Sequence, residues 1–185
     1  MKRAIRILKC GSITLVRIVL LLLFLVFFLI CFCLHIFSLR FPITASIPFG
    51  LYREINRRPS AGYYGETFLE EKMVSHALKR GYIVKSGGHE IKIMAIMKPI
   101  VGMPGDRVSI KDGLLSINDV SLPAYPILTC DSEGRPVQRF SVDEYTIPPD
   151  KYLLLSDYKM NSWDGRYWGP VSVEHILEPY LLFQR

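Results

Sequence analysis

Residues 91–117 read Ile91-Lys-Ile-Met-Ala-Ile96-Met-Lys98-Pro-Ile-Val101-Gly-Met103-Pro-Gly-Asp106-Arg107-Val-Ser-Ile110-Lys111-Asp-Gly113-Leu114-Leu-Ser-Ile117. Ile91 to Val101 is almost wholly apolar and has the length of a buried strand. Met-Pro-Gly-Asp at 103–106 turns the chain into a second strand, Arg107 to Ile110. Lys111-Asp-Gly113 is a hairpin signal, because Asp and Gly tolerate the positive φ of tight primed turns. Leu114 to Ile117 is then a third strand, and Asn118-Asp119 turns again.

The same rhythm continues outward from this stretch. Tyr145 to Pro149 and Lys151 to Ser156 read as strands, Asp164-Gly165 as a turn, and Tyr180 to Phe183 as a closing strand. Short strands joined by turns every few residues predict a mostly β, antiparallel domain. Phe41 to Tyr52 reads as a strand entering a tight loop. A short helix is expected over 67–80, where Thr67 and Glu70 have capping-box spacing and Gly81 ends it. Leu69, Met73, His76, Ala77 and Arg80 form its predicted apolar stripe, which packs on a sheet rim.

The chain has 185 residues and a formal charge of +6, but the charge is unevenly placed. Residues 1–40 carry six basic side chains and no acidic one, which leaves 17 Lys and Arg against 17 Asp and Glu in the rest. A neutral body gives no support to a nucleic-acid partner. Between Arg17 and Arg40 lie 22 residues, Ile18 to Leu39, with His35 as their one titratable imidazole. That length suits a membrane-crossing helix. The basic residues before it predict that 1–17 are cytoplasmic, 18–39 span the bilayer, and 40–185 lie outside. A cleaved signal peptide is the rival reading. It needs a shorter apolar core and small residues before the cut, whereas Ile43-Thr44-Ala45 has a large residue three back.

Of Cys10, Cys31, Cys33 and Cys130 the first three precede or lie within the anchor, so no disulfide is expected within the body. His76, His89 and His175 are scattered, and no metal or cofactor site is expected.

Three segments carry candidate chemistry. In Ser46-Ile-Pro48-Phe-Gly50-Leu-Tyr52, Pro48 stiffens the backbone after a serine and Gly50 permits a turn. Taken alone, such a serine is usually just a turn residue. Ser46 stands six residues beyond Arg40, which at ~3.6 Å per residue keeps it within about 20 Å of the membrane edge. Lys98 is flanked by Ile93, Met94, Ile96, Met97, Ile100 and Val101. Burial there would disfavour its charged form and suit it to act as a base; the other reading is a strand-end lysine whose ammonium reaches water. The third segment, Ser156-Asp-Tyr-Lys-Met-Asn161-Ser162-Trp-Asp164-Gly-Arg166-Tyr-Trp-Gly169, offers an Asp164–Arg166 ion pair and a hydroxyl on Ser162 able to hold an amine. It also reads as a plain Asp-Gly hairpin.

In this order the three segments resemble the boxes of the type I signal peptidases, peptidase S26. Ser-x-Pro-x-Gly-x-Tyr, Arg-Gly-Tyr at 80–82 and the closing Asp-Gly-Arg-Tyr-Trp-Gly-Pro are most similar to the conjugative-transfer (TraF-type) branch. The resemblance runs from Thr44 to Pro170. It implies a Ser–Lys dyad, with Ser46 as nucleophile and Lys98 as base. It further implies Thr44 as an oxyanion-hole hydroxyl, Ser162 as the residue orienting the lysine, and Asp164 and Arg166 as structural neighbours. The implied partners are an exported precursor or prepilin, the lipid bilayer, and other conjugation or pilus-assembly proteins. The implied location is the bacterial inner membrane, single-pass, with a periplasmic catalytic domain. Cyclisation of a pilin through the same acyl-enzyme, general housekeeping processing, and a non-catalytic assembly role are the alternatives. Three departures stand out: Pro99 follows the lysine where many relatives have Arg, Ser156 stands for a common Gly, and Tyr158-Lys-Met160 is less polar than the family pattern.

Overall fold

A computed structural model describes residues 2–37, 39–40, 47–55, 57–83, 95–140, 143–158 and 161–182. The chain divides into two compact units, Met1–Arg40 and Phe41–Arg185.

The first unit is one helix, α1 (Lys2–Ile36), followed by the two-residue strand β1 (Leu39–Arg40). Within α1, Leu15–Ile36 forms 22 residues long and apolar enough to cross a membrane. At 1.5 Å rise per residue this covers about 33 Å, close to a bilayer's hydrocarbon core.

The second unit is mostly antiparallel β structure, as its alternation predicts. Its strands are β2 (Tyr52–Glu54), β3 (Tyr64–Thr67), β4 (Ile96–Gly102), β5 (Arg107–Lys111), β6 (Leu114–Ile117), β7 (Val120–Ser121), β8 (Glu144–Thr146), β9 (Lys151–Leu154), β10 (Val171–Ser172) and β11 (Ile176–Leu182). One sheet runs β2-β11-β3-β4-β9-β10, and a smaller one runs β7-β6-β5-β8. The hairpin between β5 and β6 turns on Asp112 and Gly113, both at positive φ, as Lys111-Asp-Gly113 predicts. Asn118 and Asp119 take positive φ in the next turn.

β9 shows why the strand sequence Lys-Tyr-Leu-Leu is so apolar. Tyr152 and Leu154 join one core with Ile96, Ile100, Trp168 and Ile176, whereas Leu153 and Leu155 join another with Val108, Ile110, Leu115 and Ile147. A strand buried on both faces has no solvent side on which to place polar residues. The small sheet thus stacks its core on the opposite side of β9 from the helix side.

Several expected boundaries move. α2 spans Glu71–Arg80, not 67–80. Thr67 belongs to β3, where it pairs with Ile96, and its hydroxyl bonds to the Phe68 carbonyl. Strand pairing has overridden the capping-box signal, and Glu70 caps nothing with its side chain. Gly81 ends the helix in the left-handed conformation as predicted. Leu69 and Ala77 of the expected stripe are buried and Met73 packs against the same core, but Val74 is buried as well and His76 is exposed. β8 and β9 are shorter than predicted, and β11 begins four residues before Tyr180. Within the expected strand 91–101, residues 91–94 lie outside the described residues; β4 itself continues to Gly102.

Candidate active site

β4 carries the lysine. Its residues alternate between deeper and shallower burial, which puts Ile96, Lys98, Ile100 and Gly102 on one face. β3 flanks it, with Gly65 opposite Lys98 and Tyr64 opposite Pro99. On its other side Ile100 stands opposite Leu154, and the register shifts between Ile100 and Gly102. Pro99 removes one donor from the ladder, yet its carbonyl still accepts from the Leu155 N–H at 3.0 Å. The strand is held firmly on both edges, so the lysine backbone is fixed.

Lys98 is only 2% exposed, which favours the buried reading over a side chain reaching for water. Its Nζ donates to Ser162 Oγ at 2.8 Å, across 64 residues of sequence. Ser162 is itself 4% exposed. The fold thus brings these two side chains within hydrogen-bond distance of each other.

Ser162 is held by the segment that follows it. Arg166 and Asp164 are both fully buried at the side chain and form a two-pronged pair, Nε to Oδ1 at 2.8 Å and Nη2 to Oδ2 at 2.7 Å. Burial alone would push the guanidinium's pKa down. The hydrogen bonds and charge of Asp164 outweigh it, so the pKa is raised and the group stays cationic. Arg166 Nη2 also donates to the Ser162 carbonyl at 3.1 Å, and Nη1 to the Pro126 carbonyl at 2.9 Å. Asp164 accepts in turn from the backbone N–H of Ser156 and of Arg166. One ion pair therefore ties together three stretches of backbone, and it satisfies the buried charges as it does so.

The expected Asp164-Gly165 hairpin turn is instead the start of a short helix, α3 (Gly165–Trp168), with Asp164 in extended conformation as its N-cap. Aspartate is favoured at both positions, so the dipeptide alone does not separate them. Tertiary packing does. A Cβ on Gly165 would stand 2.8 Å from the Leu154 carbonyl and from Leu153 Cδ1, so the helix start presses directly on β9. Between Ser162 and Asp164, Trp163 stacks on His76 of α2, centroids 6.3 Å apart, and packs against Tyr82 at 5.6 Å. The helix expected to pack on a sheet rim thus also buttresses this segment through His76.

Ser46 and Thr44 lie outside the described residues. From Ile47 onward the loop is described. Ile47 is 1% exposed and shares a small apolar cluster with Tyr52, against which Tyr64 and Met97 pack. Met97 is the neighbour of Lys98, so the residue after the serine and the residue before the lysine meet in one cluster. Sequence reasoning did not single out Pro126, whose carbonyl Arg166 uses, or Trp163. The first had no signal, since any residue supplies a carbonyl. The second had one, an aromatic beside Ser162.

A family model described as signal peptidase, peptidase S26, matches residues 12–179. The chain is 36% identical over 135 residues to a plasmid transfer protein TraF of Escherichia coli, covering 72% of this chain and 76% of that protein. It is 31% identical over 143 residues to a conjugal transfer protein TraF of Agrobacterium fabrum, covering 75% and 77%. A signal peptidase I of Bacillus caldolyticus is 29% identical over 96 residues, 48% of this chain and 53% of that one.

Proposed function

Because this chain belongs to the signal peptidase family, peptidase S26, we propose that it is a membrane-anchored serine endopeptidase working through a Ser46–Lys98 dyad. Residues 1–17 would be cytoplasmic, 18–39 the anchor, and 40–185 the catalytic domain on the outer face of the inner membrane. The observation that carries the proposal is the burial of Lys98 with its amine 2.8 Å from Ser162. A lysine at 2% exposure loses hydration of its charged form, which favours the neutral amine that a general base must be.

In this mechanism Ser46 Oγ attacks the carbonyl carbon of the scissile bond while its proton passes to Lys98 Nζ. The charge that develops on the carbonyl oxygen is met by the Ser46 N–H and the Thr44 hydroxyl. The leaving amine then takes the proton from Lys98, and water, activated by the same lysine, releases the acyl group. Ser162 holds the amine at the right place through both steps, and the Asp164–Arg166 pair holds Ser162. The apolar helix supports action on a precursor at the membrane surface. The transfer-protein relatives support a substrate belonging to a conjugation apparatus, such as a prepilin.

The test is precursor processing in proteoliposomes with Ser46→Ala and Lys98→Arg. Each should abolish cleavage while leaving the fold intact, since arginine stays protonated and cannot accept the proton. Near-normal processing by either variant contradicts the proposal.

A further inference from the structure

We infer that Tyr52 is a positioning residue, whose hydroxyl pins the loop following Ser46 against the strand that carries Lys98. The inference rests on the Ser46–Lys98 reading and deepens it. Tyr52 is the first residue of β2, and it is fully buried. Its hydroxyl reaches back four residues and donates to the Pro48 carbonyl at 2.8 Å. Its ring meets the Tyr64 ring edge-on, with centroids 4.9 Å apart. Tyr64 lies on β3 opposite Pro99, one position from Gly65, which stands opposite Lys98.

The loop is thus closed from inside. Ile47 is buried at one end and Tyr52 at the other, while Phe49 between them is 83% exposed. Ile47 is one peptide bond from Ser46, and it packs in the cluster that Met97 joins. Burial, and then the adjacent Tyr64, raise the pKa of the Tyr52 hydroxyl, which favours the protonated form that donates. Such a tether matters because a nucleophile must meet its base within a fraction of an ångström, and a misplacement of about 1 Å can cost ~10²-fold in rate. Tyr52→Phe removes the tether and leaves the ring, the packing and β2 in place.

The experiment uses the full chain in detergent micelles. The probe is an internally quenched peptide with Ala at the first and third positions before the cut. Tyr52→Phe should lower kcat about tenfold per folded molecule, leave KM within about twofold, and leave the pH limb unmoved. A tyrosine that only stabilises the fold would lower the Tm without touching kcat, so a wild-type kcat overturns the inference. If Tyr52→Phe does not fold, Ile47→Val loosens the same loop from its other end. It should lower kcat by about two- to threefold, and a wild-type value there overturns the inference equally. Ser46→Ala in the same assay keeps the two ideas apart. Activity surviving in Ser46→Ala overturns the nucleophile assignment; loss there with a normal Tyr52→Phe overturns only the role of Tyr52.

Discussion

The two sides of the proposed dyad are held by different physics. On the lysine side, Ser162 is tied down by a buried ion pair and the carbonyls and N–H groups it gathers from Pro126, Ser156 and Ser162. On the serine side, the loop from Ile47 to Tyr52 is held by apolar contact and by the bond from the Tyr52 hydroxyl to the Pro48 carbonyl. Buried charges lock geometry tightly, but they leave an uncompensated charge when one partner goes. Packed apolar loops lose less when trimmed and yield by degrees. The lysine side should therefore fail abruptly and the serine side gradually.

The sharpest break comes from Arg166→Ala, which strands the fully buried Asp164 carboxylate. It should cost about 3–5 kcal/mol of stability, seen as a large fall in the denaturant midpoint. A loss below about 1 kcal/mol would mean that the pair is not the clamp described. Next in size is Thr44→Ala, which should lower kcat by roughly 10²–10³ with KM little changed, while Thr44→Ser keeps much of the activity. A change confined to KM would make Thr44 a substrate contact instead. Ser162→Ala should reduce kcat/KM about tenfold, the upper worth of a hydrogen bond between neutral groups, and should shift the pH limb because the amine loses its partner. Smallest is Ile47→Val, expected to cost about 1 kcal/mol in thermal unfolding. A cost there matching that of Arg166→Ala would erase the contrast between the two sides.

The parts legible in the sequence are those decided locally. The Asp112-Gly113 hairpin, the Gly81 helix end and the buried lysine strand were readable because turn chemistry and apolar runs act within a few residues. Thr67 misled because a strand partner 29 residues away, Ile96, outcompeted a local cap. Asp164 misled because the same side chain serves hairpins and helix starts, and only contact with Leu154 separates the two. The insertion of β11 between β2 and β3 had no local signature at all, since it depends on pairing across more than a hundred residues. For the site, spacing alone left Lys98 ambiguous. The family pattern linked it to Ser162, and the fold brings the two within hydrogen-bond distance.

The most direct test of the central claim is kcat/KM against pH for the wild type, for Ser162→Ala, and for replacements of His76, His89 and His175. A base must be neutral to accept the Ser46 proton, so activity should climb with pH through the pKa of Lys98 and level off above it. This limb should move in Ser162→Ala and stay in place in all three histidine variants. If the limb vanishes with a histidine instead, that residue is the base and the Ser46–Lys98 dyad is wrong.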